Sequence, residues 1–310
     1  MPAPLPARFR RLAWATLGYN VLVILWGGVV RASGSGAGCG DHWPFCNGEV
    51  IPSNPALNTV VEFAHRVTSG IALPLVFWLV WRAFQVAPRG AAVRKAAGAA
   101  GVFIVLEAAL GAGLVLFKYV AYNPSYARAV WMAGHLVNTL LLLAALALVA
   151  WWASGGSVPR HPAPGRALAV GAALAAVLVL SMGGAVTALG DTLVVGGGLD
   201  PASDPVVATL VGLRLFHPAM AFVALGVVAF SVWQSRGTDA AVVARGMTVV
   251  GLFVAQMGLG ALNVGLGVPV WMQIVHLLMT DVVWIALVLW ASEALAAPEA
   301  SRVGVVREAV

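Results

Sequence analysis

The sequence predicts an all-α integral membrane protein of eight transmembrane helices, arranged as two pseudo-symmetric four-helix bundles. Three observations carry that reading. The 310 residues are 61% hydrophobic and only 10% charged, where a soluble domain carries about 25% charge. Eight apolar runs are each long enough to cross a bilayer as a helix. The second four runs repeat landmarks of the first four. The net charge of +6 does not mark a nucleic-acid binder, because the basic residues sit at the ends of apolar runs, where they orient helices.

The runs are expected at about 12–31, 58–82, 97–117, 128–152, 167–188, 209–233, 246–265 and 271–295. The first follows Arg8, Arg10 and Arg11 and precedes Ala32-Ser33-Gly34, as a signal peptide would. Its apolar core of nineteen residues exceeds the usual signal core of about 7–15, so it reads as a retained helix. The internal prolines Pro74 and Pro218 are tolerated within membrane helices. Thirteen basic residues, Arg8, Arg10, Arg11, Arg82, Arg89, Arg94, Lys95, Arg160, Arg166, Arg236, Arg245, Arg302 and Arg307, fall on one side. Only Arg31, Arg66, Lys118, Arg128 and Arg214 fall on the other. The expectation is a multi-pass protein of the cytoplasmic membrane, with both termini cytoplasmic and loops 32–57 and 189–208 outside.

The halves, expected as 1–153 and 154–310, match landmark by landmark. Gly27-Gly28 in run one answers Gly183-Gly184 in run five, and Leu110-Gly111-Ala112 in run three answers Leu259-Gly260-Ala261 in run seven. Trp131-Met132 then His135 in run four answers Trp271-Met272 then His276 in run eight, and His65 in run two answers His217 in run six. Four runs per half make this a parallel duplication.

His65, His135, His217 and His276 each lie a few residues into an even-numbered run, at one shared depth, roughly 10 Å below the surface at 1.5 Å per residue. Haem iron takes axial nitrogen ligands, and the facing helices of a bundle are where such ligands are built. One pair per half, His65 with His135 and His217 with His276, is the expected ligand set. The rival is a zinc or copper site, but no thiolate or carboxylate cluster lies beside these histidines. Haem propionates need cations at the wet end, which makes Arg31, Arg66, Arg128 and Arg214 candidate partners; the alternative is that they snorkel to the interface. His42 and His161 lie in loops and read as solvated.

The halves differ in chemistry. Three residues before His65 stands Glu62; three before His217 stands Arg214. A carboxylate beside a haem edge can move protons or stabilise a developing cation; the plainer role for Glu62 is an ion pair with Arg66, one turn on. Glu107 in run three, where run seven has Gln256, and Asp281 after His276 read as polar groups tied to neighbouring helices. In loop 32–57, Cys39 and Cys46 flank a short segment, Gly40-Asp41-His42-Trp43-Pro44-Phe45. Facing an oxidising compartment they can form a disulfide, either as a clamp over the first half or as a pair that exchanges electrons with a nearby cofactor.

Taken together, Glu62-Phe63-Ala64-His65-Arg66, the Cys39 to Cys46 loop with Trp43-Pro44, Arg31 after Gly27-Gly28, and the histidines at 135, 217 and 276 resemble the haem A synthase family across all eight runs. The resemblance implies oxidation of the C8 methyl of haem O to a formyl group by two hydroxylations, giving haem A for terminal oxidases. It implies that His65 and His135 hold the substrate haem O, with Glu62 catalytic, and that His217 and His276 hold a haem b cofactor. The implied partners are haem O synthase, terminal oxidase assembly and an electron acceptor. The chain departs from some relatives in one respect: loop 189–208 has no second cysteine pair. Two other classes compete. A di-haem electron-transfer cytochrome would need neither Glu62 nor the cysteines. A transporter would be expected to show broken helices at matching places in both halves.

Overall fold

A computed structural model describes residues 3–159 and 163–297. Arg160 and His161, and Arg302 and Arg307 of the charge tally, lie outside the described residues. The helices are α1 (Ala7–Ala32), α2 (Leu57–Val86), α3 (Ala92–Leu116), α4 (Tyr126–Ala153), α5 (Pro164–Asp191), α6 (Pro205–Leu213), α7 (Phe216–Gln234), α8 (Ala240–Gly265) and α9 (Val270–Ala296). Eight spans are long and apolar enough to cross a membrane, with α6 and α7 together making the sixth. All eight expected runs are present. Most extend beyond the apolar stretch because the helix carries on into charged ends such as Arg8 to Arg11 and Arg94 to Lys95.

Local signals set several of the starts. Ser125 accepts from the backbone N–H of Arg128 at α4, Asp204 from Val206 and Val207 at α6, and Asp239 from Ala241 at α8. Each side-chain oxygen satisfies an amide that the helix itself leaves free. Pro164 and Pro205 open their helices at positions whose missing N–H costs nothing.

The sixth run is not the continuous helix expected over 209–233. It breaks at Arg214 and Leu215 and restarts at Phe216. Pro218 accounts for the place. It has no N–H to give the carbonyl four residues back, at Arg214, and its ring crowds that carbonyl. The chain answers by closing Arg214 and Leu215 onto Val211 and Gly212 in tight turns, so that Pro218 falls in the first turn of a new helix. No such interruption occurs at His65, since α2 runs unbroken past Pro74.

The spans pack as two rings with the same internal order. α1 packs on α2, α2 on α3, α3 on α4 and α4 back on α1; α5, α7, α8 and α9 close a second ring in the same way. The seam between the rings is made by α1 and α4 against α5 and α9. One apolar core runs through both rings, from Phe9 and Leu79 through Leu143 and Leu146 to Trp284 and Leu287. α4, at the seam, is the most buried span and α8 the least. Across the seam the Trp284 indole N–H donates to the Leu140 carbonyl at 2.6 Å.

Candidate functional site: two imidazole pairs and a clasped carboxylate

The four predicted histidines come together in two pairs. His65 on α2 and His135 on α4 belong to the first ring, and His217 on α7 and His276 on α9 to the second. Small residues on the neighbouring helix make room for three of the rings. A Cβ at Gly27 would meet the His65 ring at 3.0 Å, one at Gly184 the His217 ring at 3.2 Å, and one at Gly260 the His276 ring at 3.1 Å. The duplicated glycines of the sequence are thus the floors on which imidazoles lie. Gly111, the counterpart of Gly260, has no such contact. All four imidazoles keep a buried Nδ1 with no hydrogen-bond partner. Buried polar atoms are normally satisfied, so four imidazoles with an orphaned ring nitrogen at repeated positions are only partly engaged by the protein itself. Apolar helix walls around paired nitrogen donors suit a porphyrin and its iron. Among the described residues, no three His, Cys, Asp or Glu side chains converge as a metal-ion site.

Glu62 is buried and fully engaged. Its Oε2 accepts from the Cys39 backbone N–H at 2.9 Å, and its Oε1 accepts from Arg66 Nε at 3.1 Å and from the Arg66 guanidinium terminus at 2.5 Å. The ion pair that four-residue spacing suggested is therefore formed. Arg66 does more than pair: it also donates to the carbonyls of His42 at 2.5 Å and Phe45 at 2.7 Å. Cys39 and Cys46 are bonded to each other. Their loop sits close on α2, where the Thr59 hydroxyl donates to the Gly38 carbonyl at 2.7 Å. A Cβ at Gly38 would collide with the Asn58 backbone, so only glycine permits this approach. One guanidinium thus holds the carboxylate and the disulfide loop together. The cysteines are only 0% and 1% exposed. Thiol–disulfide exchange requires access to sulfur, so this burial shields the bond from thiols outside the protein.

The other arginines take distinct places. Arg31 reaches across the seam and donates to the Ala188 carbonyl, Thr192 Oγ1 and Gln273 Oε1, each at 2.9 Å. Arg128 is buried, donates to the Asn123 carbonyl at 3.1 Å and leaves its Nε unpartnered. Arg214 is half exposed and lies 3.3 Å from Asp191. Sequence reasoning missed Tyr122. Its ring is wedged against Gly34 of the first half and Gly196 and Gly197 of the second, and no periodicity marks a loop residue for that role. His42 neighbours Gly40 and Gly48 in the clamp loop.

Glu107 is tied to α4 as expected: it accepts from Asn138 at 2.6 Å and Thr139 at 2.5 Å. Gln256 is tied to α9 through Thr280 at 2.7 Å and the His276 carbonyl at 3.0 Å. Asp281 differs from expectation. It is fully buried, yet neither carboxylate oxygen meets a donor.

Comparison with known proteins agrees with this architecture. The profile described as cytochrome oxidase assembly protein matches residues 10–288. A protein of Thermus thermophilus named "Protoheme IX farnesyltransferase" is 46% identical over 305 residues, which is 95% of this chain and 50% of that protein. A "Heme A synthase" of Alkalihalophilus pseudofirmus is 39% identical over 97 residues, 31% of this chain and 33% of its own length. Another, of Halalkalibacterium halodurans, is 35% identical over 143 residues, 46% of this chain and 45% of its own. The chain spans about half the length of the Thermus relative. With a match that takes in both rings and all four histidines, the chain belongs to the cytochrome oxidase assembly protein family, that of the haem A synthases its motifs anticipated.

Proposed function

We propose that this protein is a haem A synthase that oxidises the C8 methyl of haem O to a formyl group, by successive hydroxylations, and so provides haem A for terminal oxidases. The observation that carries the reading is the asymmetry between the rings. Both hold an imidazole pair with orphaned nitrogens, but three residues before the leading imidazole the first ring has the buried carboxylate of Glu62, clasped by an amide and a guanidinium, and the second has the half-exposed Arg214. A carrier of electrons alone has no use for a carboxylate fixed at one of its haem sites; a catalyst does.

In this reading His65 and His135 hold the iron of the substrate haem O, and His217 and His276 hold a haem b cofactor. Haem b, when bound, supplies one-electron chemistry to the second ring. Glu62 is the residue assigned to the reacting methyl, where a fixed carboxylate stabilises developing positive charge or takes the departing proton. Arg66 and the Cys39 N–H keep that carboxylate from swinging away, and the disulfide loop keeps water from the mouth of the first ring. Arg128, with an unpartnered Nε, and Arg214, half exposed, are the propionate partners best supplied with free donors; the donors of Arg31 and Arg66 are largely committed to the protein. The disulfide end faces the outside of the cytoplasmic membrane and the termini face the cytoplasm, as the charge asymmetry supports.

The Thermus relative is named for farnesyl transfer to protohaem, and only half of it aligns here. We read that name as pointing to a neighbouring activity that would supply the farnesylated haem, not to an activity of this chain.

The test is direct. Purified protein is given haem O and a one-electron acceptor in air, and haem is extracted for mass analysis. The formyl product is expected. Bound haem with unchanged haem O would instead make the protein an electron carrier, and a preparation that binds no haem would end both readings.

A further inference from the structure

The rings repeat one polar side chain and change its charge. Glu107 stands four residues before Gly111 in α3; Gln256 stands four before Gly260 in α8. Each reaches the helix that bears the second imidazole of its own ring. In the first ring, Glu107 Oε1 lies 3.6 Å from Nδ1 of His135. It is held by Thr139 at 2.5 Å and, through Oε2, by Asn138 at 2.6 Å. In the second ring, the Gln256 amide nitrogen lies 3.2 Å from Nε2 of His276 and 2.7 Å from Thr280 Oγ1.

Thr139 and Thr280 both follow their imidazole by four residues, but their hydroxyls work in opposite senses. A carboxylate only accepts, so Thr139, which stands 2.9 Å from the His135 carbonyl and 2.5 Å from Glu107, gives its proton to the nearer carboxylate. An amide N–H donates, so Thr280 accepts from Gln256 and sends its own proton to the His276 carbonyl, 2.9 Å away. The first ring therefore presents a fixed acceptor to its imidazole, and the second presents a neutral donor.

His135 Nδ1 is buried with no other partner. At 3.6 Å the contact is longer than a hydrogen bond, and a ring shift of about half an ångström would close it. An imidazole bound to a metal through one nitrogen offers the other as an N–H. The acceptor behind it fixes the tautomer and strengthens the ligand. A charged acceptor does so more than a neutral one.

Resting on the haem-binding reading above, we infer that Glu107 is a positioning residue of the first ring: its carboxylate takes the Nδ1–H of His135, leaves Nε2 for the substrate iron and makes His135 the stronger donor, whereas Gln256 meets His276 at its other ring nitrogen and gives that imidazole no such support. A stronger donor favours ferric iron, so the first-ring haem is held at a lower potential than the second.

The experiment compares full-length wild type with Glu107→Gln and Glu107→Asp, each loaded with haem b and haem O and titrated spectroelectrochemically. Glu107→Gln should raise the first-ring potential and narrow the gap, with haem affinity falling about tenfold or more. Glu107→Asp should return the potential toward wild type, which a merely structural tie would not predict. Bound haem with unmoved potentials in Glu107→Gln overturns the inference and leaves Glu107 a helix tie. Should that variant fail to fold, a wild-type first-ring haem titrating no lower than the second-ring haem overturns it equally. Wild type that binds no haem in either ring defeats the haem-binding reading itself, a different failure with a different signature.

Discussion

At the scale of single residues, the Glu62 carboxylate has little freedom. It accepts from a backbone amide on one oxygen and from a guanidinium on the other. Replacing it by alanine should leave haem bound and lower haem O conversion by about 10²–10⁴-fold, the usual contribution of a positioned acid or base; extracted haem analysed by mass reads the result. Arg66→Lys is the sharper probe. A lysine can neutralise Glu62, but a compact ammonium cannot also span the His42 and Phe45 carbonyls. Conversion should fall by about tenfold with the haem spectrum unchanged. His217→Ala removes one of only two nitrogens proposed for the second ring, so its haem b absorption should disappear while first-ring binding persists. Retention with an unshifted spectrum would remove His217 from the ligand set.

At the scale of elements, the site depends on how closely helices approach. Gly27 and Gly184 each leave room for an imidazole that a methyl group would push by a few tenths of an ångström. Gly27→Ala should therefore weaken haem binding in the first ring and leave the second intact, and Gly184→Ala should do the reverse. Equal losses in both rings for either variant would indicate general destabilisation instead. The clamp loop is the other element under test. Opening the Cys39–Cys46 bond by double substitution to serine should cost about 2–3 kcal/mol of loop-closure stabilisation. It should lower conversion as well, because the Cys39 N–H is one of the two holds on Glu62. Thermal melting and the conversion assay together separate these effects. The break between α6 and α7 is also an element-scale feature: Pro218 sets it, and His217 lies in the first turn of the new helix.

At the scale of the whole molecule, the two rings are joined more than they are separated. Trp284 bonds the Leu140 carbonyl, Arg31 bonds three groups of the other half, and Tyr122 wedges against Gly34 of one half and Gly196 and Gly197 of the other. Trp284→Phe keeps most of the buried area but leaves the Leu140 carbonyl without its donor, which should cost about 1 kcal/mol. Arg31→Ala should cost more, about 1–3 kcal/mol, since it orphans several acceptors at the seam. Both are read as shifts of a single melting transition; two separated transitions would show that the rings melt independently.

What the sequence determined alone is what depends on local composition and repetition. Run length and hydropathy mark a helix wherever it lies, so eight spans were legible. Repeated glycines and histidines mark a duplicated plan, so the four imidazoles and their family were legible too. Four-residue spacing on one helix was enough to foresee Glu62 with Arg66. Which distant groups meet was decided only by tertiary structure, because hydropathy carries no information about the direction of a side chain. Arg66 could face a propionate or a loop, and packing turned it to the loop; Arg31 could face outward, and packing carried it across the seam. The continuous sixth run gave way to a break because Pro218 and its neighbours resolved a local clash that an average over about nineteen residues does not register.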